Sequence, residues 1–288
     1  MAKDEIPTLR DAEEAYEAGD IETALAICDG LIGEDETKAT PEVLYLAGEC
    51  LLELQEETEA LHLFELALGQ EPENPLLLHC KGLCLFELGK PGQARKLFER
   101  SAAAAPQLAE PVFYLGLLAE RSGDHGVATA HFTKAVDLDP ENFVMPKAWD
   151  PDVIRGAFDD MVADTPEPLS TWLAALPVEV TRRPEDAVLV RQGAPISPLV
   201  HCLFFGTPSD GPEGDDPERW FSAKPDQVVL YSDNLGKSAQ DEYELGREVS
   251  EAVLWEILEF LGLDDEQLEA LGVLEADDQD DDDIHPSG

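Results

Sequence analysis

The sequence predicts an α-helical solenoid followed by a small α+β domain. Two observations lead to this fold class. In the first half, the same residue types return every 34 residues, as in the series from Ala60 to Ala94 to Ala128. After Pro177, short runs rich in Val, Leu and Phe alternate with turn residues, which is typical of strands. A chain of 288 residues is long enough for two domains, each with its own core.

The repeats predict pairs of antiparallel helices. Small residues should lie where the two helices cross, aromatic residues should fill the space toward the next repeat, and proline should end the second helix. This period and residue pattern resemble the tetratricopeptide-repeat (TPR) family. A degraded first repeat is readable over 8–40, with two residues inserted around Glu34–Lys38, so we expect about four repeats over 7–141. The remaining positions that keep the period are Gly48, Gly82 and Gly116, then Phe64, Phe98 and Phe132, then Pro72, Pro106 and Pro140.

The TPR resemblance implies a concave groove lined by the first helix of each repeat. Family members that grip a peptide's C-terminal carboxylate use Lys, Arg and Asn there, and this sequence lacks them at those positions. Its groove should be aromatic and apolar with acidic edges, which favours an apolar or basic peptide partner. Coverage of these aromatic residues by the chain's own following segment is the alternative. The predicted groove residues are Tyr45, Glu49, Leu52, His79, Leu83, Phe86, Phe113, Leu117 and Glu120.

A linker and docking helix is expected over 142–157, because Asp150 and Pro151 read as a helix N-cap and first residue. The second domain should then span 158–274 and begin with a helix followed by Leu169–Leu176. An acidic tail, 275–288, follows and should be disordered. The predicted strands and last helix are Val178–Thr181, Ala187–Val190, Leu199–Phe205, Gln227–Tyr231 and Tyr243–Leu261, with a polar loop over Gly206–Pro217.

The last helix carries the most informative motif. Apolar residues from Leu245 to Leu261 recur on one helix face, and Trp255 with its apolar neighbours predicts a second buried face. When H-E-x-x-H-x-x-G-x-x-D is placed on this helix with Glu256 as its Glu, Gly262 and Asp265 also match. Trp255 and Glu259 occupy the two histidine positions.

The order of segments strengthens this match. L-A-A-L-P precedes the first strand, Leu203-Phe204-Phe205-Gly206 should run beside the helix, and L-G-L-D-D-E-Q-L-E-A-L-G closes the domain. Together they resemble a family of small bacterial zincin-like metallopeptidases over Phe158–Gly272. The resemblance implies that Glu256 corresponds to the catalytic Glu and Asp265 to the third zinc ligand.

The departures from the motif predict that zinc is not bound. Indole has no lone pair to offer a metal, and His201, the nearest other imidazole, cannot replace two histidines. We therefore expect an interaction or scaffold protein with no cofactor, whose metallopeptidase-like domain is catalytically inactive. The alternative is a peptidase with Mn²⁺ or Ca²⁺ held by Glu256, Glu259 and Asp265, since hard cations prefer oxygen ligands. A further alternative is a helix unrelated to proteases.

Composition limits the partners. The net charge is −44, from 19 Lys and Arg against 63 Asp and Glu, which disfavours nucleic acid. The acidity predicts either a solvated surface or a basic partner. No apolar run is long enough for a membrane span, and no signal-peptide core is visible. Five cysteines without a C-x-x-C motif are typical of reduced thiols in a cytosolic chain. Together these observations predict a cytoplasmic protein.

Overall fold

The computed structural model describes residues 7–191, 194–209, 211, 220–221, 223–264, 267 and 271–272. The chain forms two compact units, one from Met1–Met145 with Glu185–Pro198 and the other from Pro146–Pro184 with Leu199–Gly288. Among the described residues, no helix is both long and apolar enough to cross a membrane. The predicted acidic tail, Asp265 and most of the Gly206–Pro217 loop lie outside the described residues.

The first unit is a series of helix pairs, as the period of 34 predicts. Several helices begin at recognisable capping residues: Asn74 accepts hydrogen bonds from the N–H groups of Leu76 and Leu77, and Asp124 accepts one from the N–H group of Val127. A 3₁₀ turn at Glu36–Lys38 occupies the predicted insertion. The helices are α1 (Leu9–Glu17), α2 (Ile21–Ile32), α3 (Pro41–Glu53), α4 (Glu57–Gln70), α5 (Pro75–Glu87), α6 (Pro91–Ala104), α7 (Glu110–Arg121) and α8 (His125–Leu138).

The repeated glycines and phenylalanines contact each other directly. A Cβ atom added at Gly82 would lie 2.7 Å from Cε1 of Phe98, and the pairs Gly48–Phe64 and Gly116–Phe132 give 2.6 and 2.7 Å. Each ring therefore covers the glycine of its own repeat. The expectation that these rings fill space toward the next repeat also holds for Phe98, which stacks on Tyr114 at a centroid distance of 5.1 Å.

Residues Glu185–Pro198 pack with the repeats, and we call this segment the β2–β3 strap. It holds a 3₁₀ turn, Asp186–Val188, and the short strands β2 (Val190–Arg191) and β3 (Ala194–Pro195). The predicted strand Ala187–Val190 was therefore wrong in its extent, because Asp and Ala are weak strand formers. Asp186 forms an ion pair with Arg121, and Ser197 hydrogen-bonds the buried carboxyl of Glu87.

The second unit is a small sheet covered by helices. Its strands are β1 (Val178–Thr181), β4 (Cys202–Phe205) and β5 (Gln227–Tyr231), in the order β1-β5-β4. Strand β5 pairs parallel to β1 and antiparallel to β4. The sequence predicted β1 and β5 correctly and the position of β4 approximately. The helices are α9 (Pro151–Asp164), α10 (Leu169–Ala174), α11 (Ser232–Ser238) and α12 (Glu242–Leu261).

Residues from Pro146 onward, within the predicted linker and docking helix over 142–157, pack in the second unit. Lys147 N–H donates to the carbonyl of Gly236 at 2.7 Å, and the Trp149 indole donates to the carbonyl of Ala239 at 3.2 Å. A Cβ at Gly236 would lie 1.9 Å from the Lys147 oxygen, so glycine is required there. Helix α11, which receives these contacts, was not predicted, since its polar first residues, Ser232 to Asn234, resemble a turn.

Gly82→Ala should destabilise the repeat array by about 1–3 kcal/mol, because the added methyl group overlaps the Phe98 ring. Gly69→Ala is the control, since a Cβ there meets nothing within 4 Å, and it should be neutral or stabilise by up to about 1 kcal/mol. Thermal unfolding followed by far-ultraviolet circular dichroism measures both. Equal melting temperatures for the two variants would contradict this role of the glycine.

Glu87→Gln should change how stability depends on pH. Burial raises the pKa of Glu87 to about 7 from an ordinary value of 4.5, so the folded chain keeps a proton there that the unfolded chain loses. Between these values the contribution of Glu87 to stability falls as pH rises, by on the order of 3 kcal/mol in total. The melting temperature of the variant should therefore rise relative to that of the wild type as the pH is raised from about 5 to about 8. Glu99→Gln, the same replacement at an exposed position on α6, is the matched control, and a pH dependence of the melting-temperature difference equal to that of Glu87→Gln would contradict the role of burial at Glu87.

Candidate functional site

Two places in the structure correspond to the predicted sites: the last helix of the second unit and the groove of the repeats. In the last helix, α12, the predicted core face is confirmed. Leu245, Val249, Val253, Ile257 and Leu261 are all buried. Gly262 ends the helix in the left-handed conformation, with φ of 66°.

Glu256 is a buried residue that joins α12 to the sheet. Its side chain is 3% exposed, and Oε2 accepts a hydrogen bond from the backbone N–H of Phe204 at 2.7 Å. Phe204 lies in β4, the strand that the sequence placed beside this helix. The carboxylate therefore satisfies a backbone donor of the sheet, which is a structural role in its own right.

The two positions that correspond to the histidines of the motif lie on an exposed face of α12, unlike Glu256. Trp255 is 54% exposed and Glu259 is also exposed, as expected for residues that share one helix face. The predicted second buried face is therefore wrong at Trp255, and Leu254 and Leu258 are only partly buried. Trp255 does not fill a closed cavity.

This donor set does not fit zinc. Indole cannot ligate, the Glu256 carboxylate is turned into the core, and Glu259 projects outward. Within the described ranges, no cluster of three or more His, Cys, Asp or Glu side chains could hold a metal. Asp265, the remaining predicted ligand, is outside those ranges.

His201 is engaged elsewhere on the unit. Its Nε2 lies 3.1 Å from the Ser238 hydroxyl, and its Nδ1 lies 3.5 Å from Glu248 Oε2. Burial, together with the nearby charge of Lys237, lowers the pKa of His201 to about 4. The imidazole thus links the start of β4 to α11 and α12, two helical turns before Glu256.

The groove of the repeats contains two adjoining cavities. The larger is about 420 Å³ and the smaller about 210 Å³, and both are lined by Tyr45, Glu49 and Leu76. Of the predicted groove residues, the structure brings together Tyr45, Glu49, Leu52, His79 and Leu83 around these cavities. They form the candidate binding site.

The other predicted groove residues lie apart from the cavities. Phe86 and Leu117 are each 1% exposed, so they offer no surface to a ligand. Phe113 is half-buried and packs on Phe132 and Phe143, at centroid distances of 5.2 and 5.0 Å. Glu120 is half-buried near the end of α7. The β2–β3 strap contacts Glu87 and Arg121, the residues that follow Phe86 and Glu120 in sequence.

The first repeat supplies residues that the sequence reasoning missed. Tyr16 of α1 lines the larger cavity with Glu13 and Glu17. The signal was present, because Tyr16 stands eight residues before Ala24, just as Leu52 stands eight residues before Ala60. Extending the repeat register into the degraded repeat would have included it.

Both cavities are strongly acidic. Within the described chain, no lysine or arginine lines either of them. Burial, with the charges of Glu49 and Glu53, raises the pKa of Tyr16 to about 12. Burial also raises the pKa of Glu49, although hydrogen bonds from Cys80 and Tyr45 oppose this shift. The acids are Glu13, Glu17, Glu42, Glu49 and Glu71 in the larger cavity, and Glu49, Glu53 and Glu110 in the smaller.

Two family models match different parts of the chain. A model for tetratricopeptide repeats matches residues 9–75 and 81–143, and a model for zincin-like metallopeptidases matches residues 173–273. No relative was found among curated proteins.

Similar solved structures each cover a little under half of this chain. A crystal structure of MamA is 19% identical, with a TM-score of 0.41, over 46% of this chain and 77% of MamA. MamA from Desulfovibrio magneticus RS-1 is 26% identical, with a TM-score of 0.41, over 49% of this chain and 80% of that one. TTC0263, a TPR protein in Thermus thermophilus, is 20% identical, with a TM-score of 0.41, over 46% of this chain and 73% of that one.

Each of the two folds therefore matches a family model. One fold consists of the helix pairs with their Gly–Phe contacts, and the other is the sheet with its closing helix. The chain carries a tetratricopeptide-repeat array at residues 9–143 and a zincin-like metallopeptidase domain at residues 173–273.

Proposed function

We propose that this is a scaffold protein whose TPR groove binds an apolar or basic peptide segment of a protein partner. The observation that carries the proposal is the lining of the two groove cavities, where aromatic and aliphatic side chains alternate with carboxylates and where no lysine or arginine occurs among the described residues. Such a surface attracts a cationic segment and repels nucleic acid. TPR arrays are built to present grooves of this kind.

We further propose that the zincin-like domain does not cleave peptides and holds no cofactor. This proposal is supported because the side chains aligned with the metallopeptidase motif do not point toward one another. Glu256 points into the core toward Phe204 N–H, whereas Trp255 and Glu259 are exposed. For the same reason, a Mn²⁺ or Ca²⁺ site that combines Glu256 with Glu259 is the less favoured function. A cytoplasmic location is part of the proposal, and five cysteines that are all buried and not joined by disulfide bonds support it.

The two parts of the proposal can be tested together with a synthetic library of acetylated, amidated peptides of about twelve residues, long enough for an extended chain to lie along the groove. Immobilised full-length protein should retain a fraction enriched in Lys, Arg and apolar residues. Mass spectrometry should find these peptides uncut after incubation with Zn²⁺, Mn²⁺ or Ca²⁺. Retention no greater than on a heat-denatured column would contradict the binding function, and metal-dependent cleavage that Glu256→Gln abolishes would establish the peptidase alternative.

Glu256→Ala should lower stability by about 1–3 kcal/mol, because it leaves the buried Phe204 N–H without its acceptor. Glu259→Ala, three residues later on an exposed position, should change stability by no more than about 0.5 kcal/mol. Urea unfolding monitored by tryptophan fluorescence measures both. A Glu256→Ala variant as stable as Glu259→Ala would remove the structural role that we assign to Glu256.

A further inference from the structure

The smaller groove cavity contains a half-buried carboxylate, that of Glu49, without a cationic partner among the described residues. Glu49 accepts a hydrogen bond from the Tyr45 hydroxyl at 3.2 Å and another from the Cys80 thiol. Both donors are neutral, and within the described chain no Lys, Arg or His forms an ion pair with Glu49. Because the carboxylate is partly removed from water and its hydrogen-bond donors are neutral, its negative charge is poorly compensated. A cation entering this cavity would supply the missing charge.

His79, which lines the same cavity, provides a second and independent observation. Its Nδ1 is buried and has no hydrogen-bond partner among the described residues. The ring lies against Phe98 and Tyr114, each at a centroid distance of 5.6 Å, so these neighbours restrict its rotation toward water. Burial lowers the pKa of His79 to about 4, and a neutral imidazole has one nitrogen that accepts a hydrogen bond. The cavity therefore combines a carboxylate with a neutral imidazole, and no Lys or Arg among the described residues lines it.

We propose that this cavity, the Glu49–His79 pocket, binds the cationic end of a Lys or Arg side chain from the partner peptide. The cation donates a hydrogen bond to the Glu49 carboxylate, beside the neutral His79 ring that lines the same pocket. The inference rests on the proposed function, and it specifies which residue type the groove recognises and where. A side chain of a polypeptide fits better than a free amine, because Tyr45, Glu49 and Leu76 also line the 420 Å³ cavity that would receive the flanking apolar residues.

The pocket lies in the part of the groove formed by α3, α5 and the start of α7. The β2–β3 strap instead contacts the last residues of α5 and α7, at Glu87 and Arg121. The strap and the ligand can therefore occupy the repeats together. The anchor residue of the ligand enters between the second, third and fourth repeats.

The test compares two libraries of acetylated, amidated peptides of about twelve residues, one with Lys and the other with norleucine fixed at a central position. Norleucine keeps the aliphatic stem and lacks the ammonium group. Full-length protein should retain the Lys library about tenfold better, as a charge-assisted hydrogen bond predicts. The Glu49→Gln variant should bring this ratio close to one, since Gln keeps the acceptor oxygen and loses the charge. Glu59→Gln, an exposed position on α4, is the matched control and should leave the ratio unchanged.

The outcomes separate the two proposals. Equal retention of both libraries by the wild-type protein, above a denatured blank, would overturn the pocket and leave the peptide-binding function intact. Retention of neither library would overturn both. A Lys preference that persists in Glu49→Gln, with an unchanged circular dichroism spectrum, would overturn the assignment to Glu49. It would show that another acidic residue binds the cation. The comparison of Lys with norleucine on the wild-type chain needs no variant, so it decides the question even if Glu49→Gln fails to fold.

Discussion

The contact between a glycine on the first helix and a phenylalanine on the second sets the geometry of the repeat half. In three successive repeats the ring occupies the position that a Cβ would need, at 2.6–2.7 Å. A side chain on one helix thus requires the absence of a side chain on the other, and this fixes how closely the two helices approach. Since each repeat packs mainly on its neighbours, a change in the distance between the two helices of one repeat would displace the helices of the adjacent repeats. The groove inherits its shape from these contacts.

The groove shows how a scaffold of this kind acquires specificity from a few polar groups. Most of its surface is apolar or aromatic, which contributes affinity without much selectivity. The carboxylates select by charge, and Glu49 is distinguished from the others because neutral donors, Tyr45 and Cys80, surround it. Exposed acids such as Glu13 and Glu17 are screened by salt and are better suited to attracting a ligand than to holding it.

Much of the fold could be predicted from the sequence, because periodicity reports directly on helix packing. The period of 34 identified the helix pairs, and the apolar spacing from Leu245 to Leu261 identified the core face of α12. Predictions failed where tertiary contacts override local pattern. Trp255 is apolar yet exposed, Phe86 was expected in the groove yet is buried, and the Ser232–Ser238 helix has a turn-like sequence. The Glu49–His79 pocket could not be predicted as such, since burial and the lack of a partner depend on neighbours far away in sequence.

The β2–β3 strap has a consequence for the chain as a whole. Its residues come from the later part of the sequence, between β1 and β4, yet they fold with the earlier part. The polypeptide therefore passes from one unit to the other three times, at about residues 145, 184 and 198. No single cleavage of the chain can separate two complete units. During translation, the repeats can form their contacts with the strap only after residue 198 has been synthesised. A truncation after residue 145 would therefore remove the strap from the repeats together with the second unit.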